Sequence, residues 1–134
     1  MPLPKKGKLL ALDIGTRRTG VSISDVGQQV AFPREEILHR STEELVQRLS
    51  AMTAEEMIVG ILAGVPINMK GEVTRQTAIT MEIIDAIKEA IDVPLEMMDE
   101  RLTTQEARRT MTGPGPVDSR VAQIMLELHM GSNL

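Results

Sequence analysis

Lys8-Leu9-Leu10-Ala11-Leu12-Asp13-Ile14 is a near-continuous apolar run broken only near its end by an acid, the pattern of a central strand covered on both faces. Gly15 through Thr19 reads as a turn. Gly20-Val21-Ser22-Ile23-Ser24-Asp25 then alternates apolar with polar, as a half-exposed strand does. A second turn over 26–29 leads into a third strand over 30–38, where Pro33 argues for an edge position or a bulge. Here the period changes. Ser41-x-x-Glu44 is a capping box ahead of a helical stripe made by Leu45, Val46, Leu49 and Met52. Residues 57–62 predict another buried strand and 63–71 a loop, after which Ile79, Ile83, Ile84, Ile87 and Ile91 mark the apolar face of a long helix. A strand over 93–98 follows. Thr103-x-x-Glu106 is a capping box for a helix to about Met111, Gly113-Pro114-Gly115-Pro116 breaks that helix, and Val121, Ile124, Met125 and Leu128 give the face of a last one.

Three strands joined by short turns, followed by alternating helices and strands, predict an α/β fold. Its sheet is five-stranded and mixed, with the first three strands antiparallel and helices on the flanks. No repeat or boundary divides the chain, so residues 1–134 are expected to form one domain behind a basic tail over about 1–7. Met52, Met57, Met97, Met98 and Met125 sit among apolar neighbours and read as core filler.

Composition narrows the chemistry. The chain has no cysteine and two histidines, His39 and His129, which excludes a thiol nucleophile or Cys-ligated zinc and leaves a His-rich metal site hard to build. A metal here would be held by oxygen, which points to Mg²⁺ or Mn²⁺. A net charge of −4 and a single aromatic residue, Phe32, argue against a strongly basic nucleic-acid binder and against base stacking on aromatic platforms. A nucleic acid would have to be read through phosphates, shape and arginines. No signal peptide or membrane span appears in the pattern, so no membrane is expected and a soluble, cytoplasmic protein is the default.

Asp13 fits its surroundings least. An ionised group at the end of a buried strand needs a cation, a metal or capping amides, or else it caps its own Gly15-Thr16 turn. Glu100 and Arg101 are expected in the short loop between the 93–98 strand and the next helix, where functional side chains are often presented and where a plain surface ion pair is equally at home. Asp118 opens the last helix, a position that capping and the helix dipole also favour. Taken together the three suggest more. With the first and last strands near the middle of the sheet, Asp13 and Glu100 would converge and the final helix would bring in Asp118. Three carboxylates around one mouth repel unless divalent cations sit between them, and that arrangement supports two-metal phosphodiester hydrolysis.

Leu12-Asp13-Ile14-Gly15-Thr16-Arg17-Arg18-Thr19-Gly20 resembles the opening signature of the YqgF/RuvX family. Gly64-Val65-Pro66-Ile67-Asn68-Met69-Lys70-Gly71 resembles its middle loop, Asp99-Glu100-Arg101-Leu102-Thr103-Thr104 its third motif, and Val117-Asp118-Ser119-Arg120-Val121-Ala122 its last. The resemblance covers nearly the whole chain, with the motifs in family order. It implies a ribonuclease H-like fold and a nuclease that matures the 5′ end of 16S ribosomal RNA precursors or resolves Holliday junctions. By position, Asp13, Glu100 and Asp118 match the family's metal-binding acids, and Arg18 and Arg101 match its basic positions. On this reading Arg18, Arg101 and Lys70 contact phosphates, helped by the Gly15-Thr16 amides, while Lys70, Arg17 and Arg120 read equally well as solvated charges. Val65 stands where leucine is more usual, and Thr112-Gly113-Pro114-Gly115-Pro116 stands where many relatives carry basic residues.

The partner is then structured RNA. Branched DNA is the alternative, and resolving it calls for a symmetric dimer, so both monomer and homodimer stay open. Asp-x-Gly-Thr after a strand also resembles the phosphate-binding turn of sugar kinases and actin-like ATPases, which need two such domains. A noncatalytic ribosome- or transcription-associated binding module is the remaining reading.

Overall fold

The apolar run at the front of the chain is the centre of the sheet. In a computed structural model, which describes residues 2–68, 70–101 and 117–131 (without the side chains of 117 and 118), β1 (Lys8–Ile14) pairs antiparallel with β2 (Arg18–Ser24) on one side and parallel with β4 (Ile58–Val65) on the other. β3 (Ala31–Leu38) pairs antiparallel with β2, and β5 (Leu95–Asp99) pairs parallel with β4, giving the order β3-β2-β1-β4-β5. This is the five-stranded mixed sheet that the sequence predicts. Leu9, Leu10, Ala11 and Leu12 are fully buried because helices cover both faces.

On one face, α1 (Thr42–Glu55) and α2 (Arg75–Ala90) contribute Leu45, Leu49, Ile83, Ile84 and Ile87 to a core with Leu10, Leu12 and Ile14. On the other, α3 (Val117–Gly131) packs Val121, Ala122, Met125 and Leu126 on Leu9, Ala11 and Leu62. Both helix starts on the first face are capped. Ser41 Oγ accepts the Glu44 N–H at 3.1 Å, while the Glu44 carboxylate reaches back one residue further than a standard box, to the Arg40 N–H at 3.3 Å. Thr74 and Thr77 cap α2 reciprocally.

Several boundaries differ from the sequence pattern. β2 begins at Arg18, inside the expected turn, and β4 continues through Val65, inside the expected loop. β5 is an edge strand separated from β1 by β4, so the first and last strands are not neighbours at the middle. Met57 is 78% exposed and Met97 is also exposed, so neither fills the core, whereas Met125 is buried, Met98 is partly buried against the same cluster, and Met52 is partly buried against the cluster on the opposite face. The helix expected over 103–111 lies outside the described residues. Among the described residues, no helix is long and apolar enough to cross a membrane.

Candidate active site

The ends of β1, β3, β4 and β5 and the start of β2 share one edge of the sheet, and the expected functional residues gather there. Leu10, Leu12 and Ile14 face α1 and α2 while Leu9 and Ala11 face α3, so the alternation of the strand turns Asp13 to the α3 face. In β4, Leu62 faces α3, which puts Gly64 on that side as well. Leu12 pairs with Ala63, and the next step of the parallel register sets Asp13 beside Gly64.

Gly64 resolves the difficulty raised by the strand order. Glu100 leaves the end of an edge strand and must cross β4 to approach Asp13. A Cβ built on Gly64 would stand 2.7 Å from Glu100 Cγ and 2.8 Å from Cδ, and would also press on Oε1. The Glu100 side chain therefore fills the space that any larger residue at 64 would take. It lies over β4 on the α3 face, in the row that adjoins Asp13. Oε1 is shielded from solvent there, and Asp13 is half-buried.

Glu100 and Arg101 are already helical rather than in a loop, and Asp99 is the residue that starts the turn. Its Oδ1 accepts the Arg101 N–H at 2.9 Å, and its Oδ2 accepts Nε at 2.9 Å and Nη2 at 2.7 Å. The hydrogen-bonded Arg101 guanidinium holds the Asp99 carboxyl below the usual carboxylate range, and Asp99 in turn raises Arg101. The acid–arginine pair anticipated in this motif is thus made by Asp99, while the Glu100 side chain lies over Gly64. Arg101 Nη1 points toward Gly71, whose φ of +79° and lack of a Cβ let the guanidinium approach the loop after β4. Asn68 Oδ1 ties that loop by accepting the N–H groups of Lys70 (3.0 Å) and Glu72 (2.8 Å), and Lys70 itself is exposed.

On the other side of Asp13, Thr16, Arg17 and Arg18 are exposed, with Arg18 Nη1 3.7 Å from Glu36 Oε1. The last helix runs away from this edge: Ser119 Oγ accepts the Val21 N–H at 3.1 Å near the start of β2, and Gln123 Nε2 meets the Ala31 carbonyl further down. Asp118, one residue before Ser119, therefore enters the fold at the same edge, though its side chain lies outside the described ones. Among the described residues, no three acidic or histidine side chains form a metal-holding group. Two of the three expected acids, Asp13 and Glu100, are thus brought to one face of one edge. Sequence reasoning missed Asp99 as the arginine's partner and Gly64 as the gap. The Gly64 signal was present as a glycine at the end of an apolar strand, which marks close approach by another group.

A sequence model described as RuvX: Holliday junction resolvase matches residues 7–131. Relatives described, provisionally, as pre-16S rRNA nucleases include one from Rickettsia typhi, 34% identical over 107 residues (80% of this chain, 69% of the relative). Another, from Chloroflexus aggregans, is 32% identical over 115 residues (86% and 81%). T. thermophilus RuvC in complex with a Holliday junction substrate superposes with a TM-score of 0.64 at 11% identity, over 94% of this chain and 97% of that one. A second T. thermophilus RuvC structure gives 0.56 at 12% identity, over 92% and 96%. At such identities these structures speak for the fold alone, the ribonuclease H-like architecture that the strand order shows. The family match spans all but the ends of the sequence, and this chain belongs to the RuvX family.

Proposed function

We propose that this protein is a divalent-metal-dependent nuclease that hydrolyses phosphodiester bonds in structured RNA, the 5′ leader of the 16S ribosomal RNA precursor. The reading rests on one observation above the others: Glu100 lies across Gly64 toward the row of Asp13, at a sheet edge flanked by arginines. The names of the relatives supply the substrate class.

The donor set fits a hard cation. Two carboxylates on one face, with no thiol in the chain, suit Mg²⁺ or Mn²⁺, and the cradle left by Gly64 gives Glu100 a fixed place. Asp13, Glu100 and Asp118 would hold the ions, whose chemistry when bound is to activate water at neutral pH and to stabilise charge on the phosphoryl and leaving oxygens. The chain's own part is positioning. Asp13 sits near the end of the central strand, paired on both sides, so its backbone moves little. Asp99 fixes the Arg101 guanidinium at the end of β5, turned toward Gly71, where it can meet a phosphate oxygen, and Lys70, Arg18 and Thr16 extend the cationic and amide rim on either side. A local rim of this kind allows an enzyme of net charge −4 to attract a polyanion.

Asp13→Asn or Glu100→Gln should abolish Mn²⁺- or Mg²⁺-dependent cleavage of precursor rRNA while leaving the circular dichroism spectrum unchanged. Turnover equal to wild type in either variant would refute the assignment. A four-way DNA junction assayed in parallel tests the second reading, which the description of the family favours. Cutting of the junction by a dimer, with the RNA left intact, would move the substrate to branched DNA.

A further inference from the structure

Two consecutive arginines follow the turn after Asp13, and they part ways. Arg18 belongs to β2 and pairs with Glu36. Arg17, one residue earlier, is exposed and lines a cavity of about 510 Å³ together with Leu38, His39, Arg40 and Glu44. The backbone joins its two walls, since the His39 N–H donates to the Arg17 carbonyl at 2.9 Å. Two cationic side chains face one acid, and Glu44 Oε1 is drawn onto the Arg40 backbone N–H at 3.3 Å, so the cavity keeps a cationic excess.

The buried member is His39, only 4% exposed. Its Nε2 is 2.9 Å from Thr19 Oγ1, while Nδ1 is buried with no hydrogen-bond partner. A buried polar nitrogen left unpaired carries the full desolvation cost of the group, so its presence needs a reason. In the tautomer that has the Thr19 hydroxyl donating to Nε2, Nδ1 carries the proton and is a donor suited to an anionic oxygen. Arg17 lies four residues from Asp13, at most about 14 Å by chain reach, and the cavity opens at the same edge of the sheet on the α1 side. A strand leaving the acidic centre over the Gly15–Arg17 turn meets it within a few nucleotides.

We propose that the Arg17–His39–Arg40 cavity is a second phosphate site, taking one phosphodiester of the polynucleotide strand a few nucleotides from the linkage held at Asp13 and Glu100. The site rests on the nuclease reading for the identity of its ligand. It adds a grip remote from the scissile bond, of the kind that fixes the register of a flexible strand.

The test uses the full chain without metal and the double variant Arg17→Gln/Arg40→Gln, whose two exposed side chains should leave the circular dichroism spectrum unchanged. The first probe is a short labelled single-stranded RNA followed by fluorescence anisotropy. The double variant should bind about tenfold more weakly at physiological salt. Its salt slope (log K against log salt) should be shallower by about 1.4, two contacts at about 0.7 each for a single strand. The second probe is inorganic phosphate followed by NMR of the imidazole signals, assigned with His129→Gln because the chain has only two histidines. Phosphate should move the His39 signal in wild type and not in the double variant. Unchanged RNA affinity and slope overturn the proposal, even if phosphate still moves His39, because the cavity would then take a free anion only. RNA binding that depends on Arg17 and Arg40 in a protein that cleaves nothing would sink the nuclease reading and leave this site standing.

Discussion

Gly64→Ala is the smallest change that separates the site from the fold. The added methyl would sit 2.7 Å from Glu100 Cγ and 2.8 Å from Cδ, against an ordinary carbon–carbon contact of about 3.5 Å, so the two must separate by about 0.8 Å. β4 is held on both sides by β1 and β5 and has little room to move, so the flexible Glu100 side chain gives way. Because Glu100 turns aside rather than compressing the core, the stability loss should stay near about 1 kcal/mol, the low end for overpacking. The effect on chemistry is larger. A shift of this size in a group that positions reacting atoms costs about 10²-fold in rate. The assay is single-turnover, Mn²⁺-dependent cleavage of precursor rRNA, with urea unfolding of the same samples. Gly131→Ala is the control, since a Cβ there meets nothing within 4 Å, and it should cleave like wild type. A wild-type cleavage rate for Gly64→Ala would refute the reasoning, because it would mean that the place of Glu100 over β4 does not matter.

Three further outcomes concern stability. Met57 follows the end of α1 with φ +56° and an exposed side chain, a left-handed position where glycine is preferred, so Met57→Gly should raise urea stability by about 0.5–1 kcal/mol. Asp99 is held below its ordinary pKa chiefly by the Arg101 hydrogen bonds, so its contribution is present above about pH 4 and is lost as pH falls through the lower folded value. Asp99→Asn should therefore be less stable than wild type at pH 7, and the gap should narrow as pH falls below about 4; a gap that stays constant through the acid range would contradict it. Burial depresses the pKa of His39, opposed only by Glu44, so the unfolded chain takes up a proton near pH 6.5 before the folded one does. Wild type should lose stability from pH 7 toward pH 5, and His39→Gln should flatten that part of the curve.

Much of this architecture was legible in the residues because local pattern and tertiary role agree. β1 reads as central because it is apolar at every position that a second helical layer covers, and Asp13 stands out against that run for the same reason. Ser41 announces α1 through an ordinary capping signal. Other features depend on contacts that no local window contains. The edge position of β5 follows from two parallel crossovers rather than from the composition of 95–99. That Asp99 and not Glu100 takes Arg101 depends on which acid sits at the start of a helical turn. Met57 and Met97 carry the same apolar signal as Met125 and yet face solvent, because one lies in a left-handed helix end and the other on the outer side of an edge strand. Gly64 was visible within its motif, but its purpose emerges only when the side chain of the neighbouring strand is seen to occupy its place. Of the two arginines after the turn, Arg18 carried the expected role, and strand pairing set it against Glu36 while Arg17 went to the cavity.

The central claim is that Asp13 and Glu100 share a divalent cation across Gly64. Anomalous diffraction from crystals soaked in Mn²⁺ tests it without any substrate. The account predicts a peak with carboxylate oxygens of both residues at about 2.1 Å, the reach of a small hard dication. A peak that touches only one of the two acids, or none at this edge of the sheet, would contradict it.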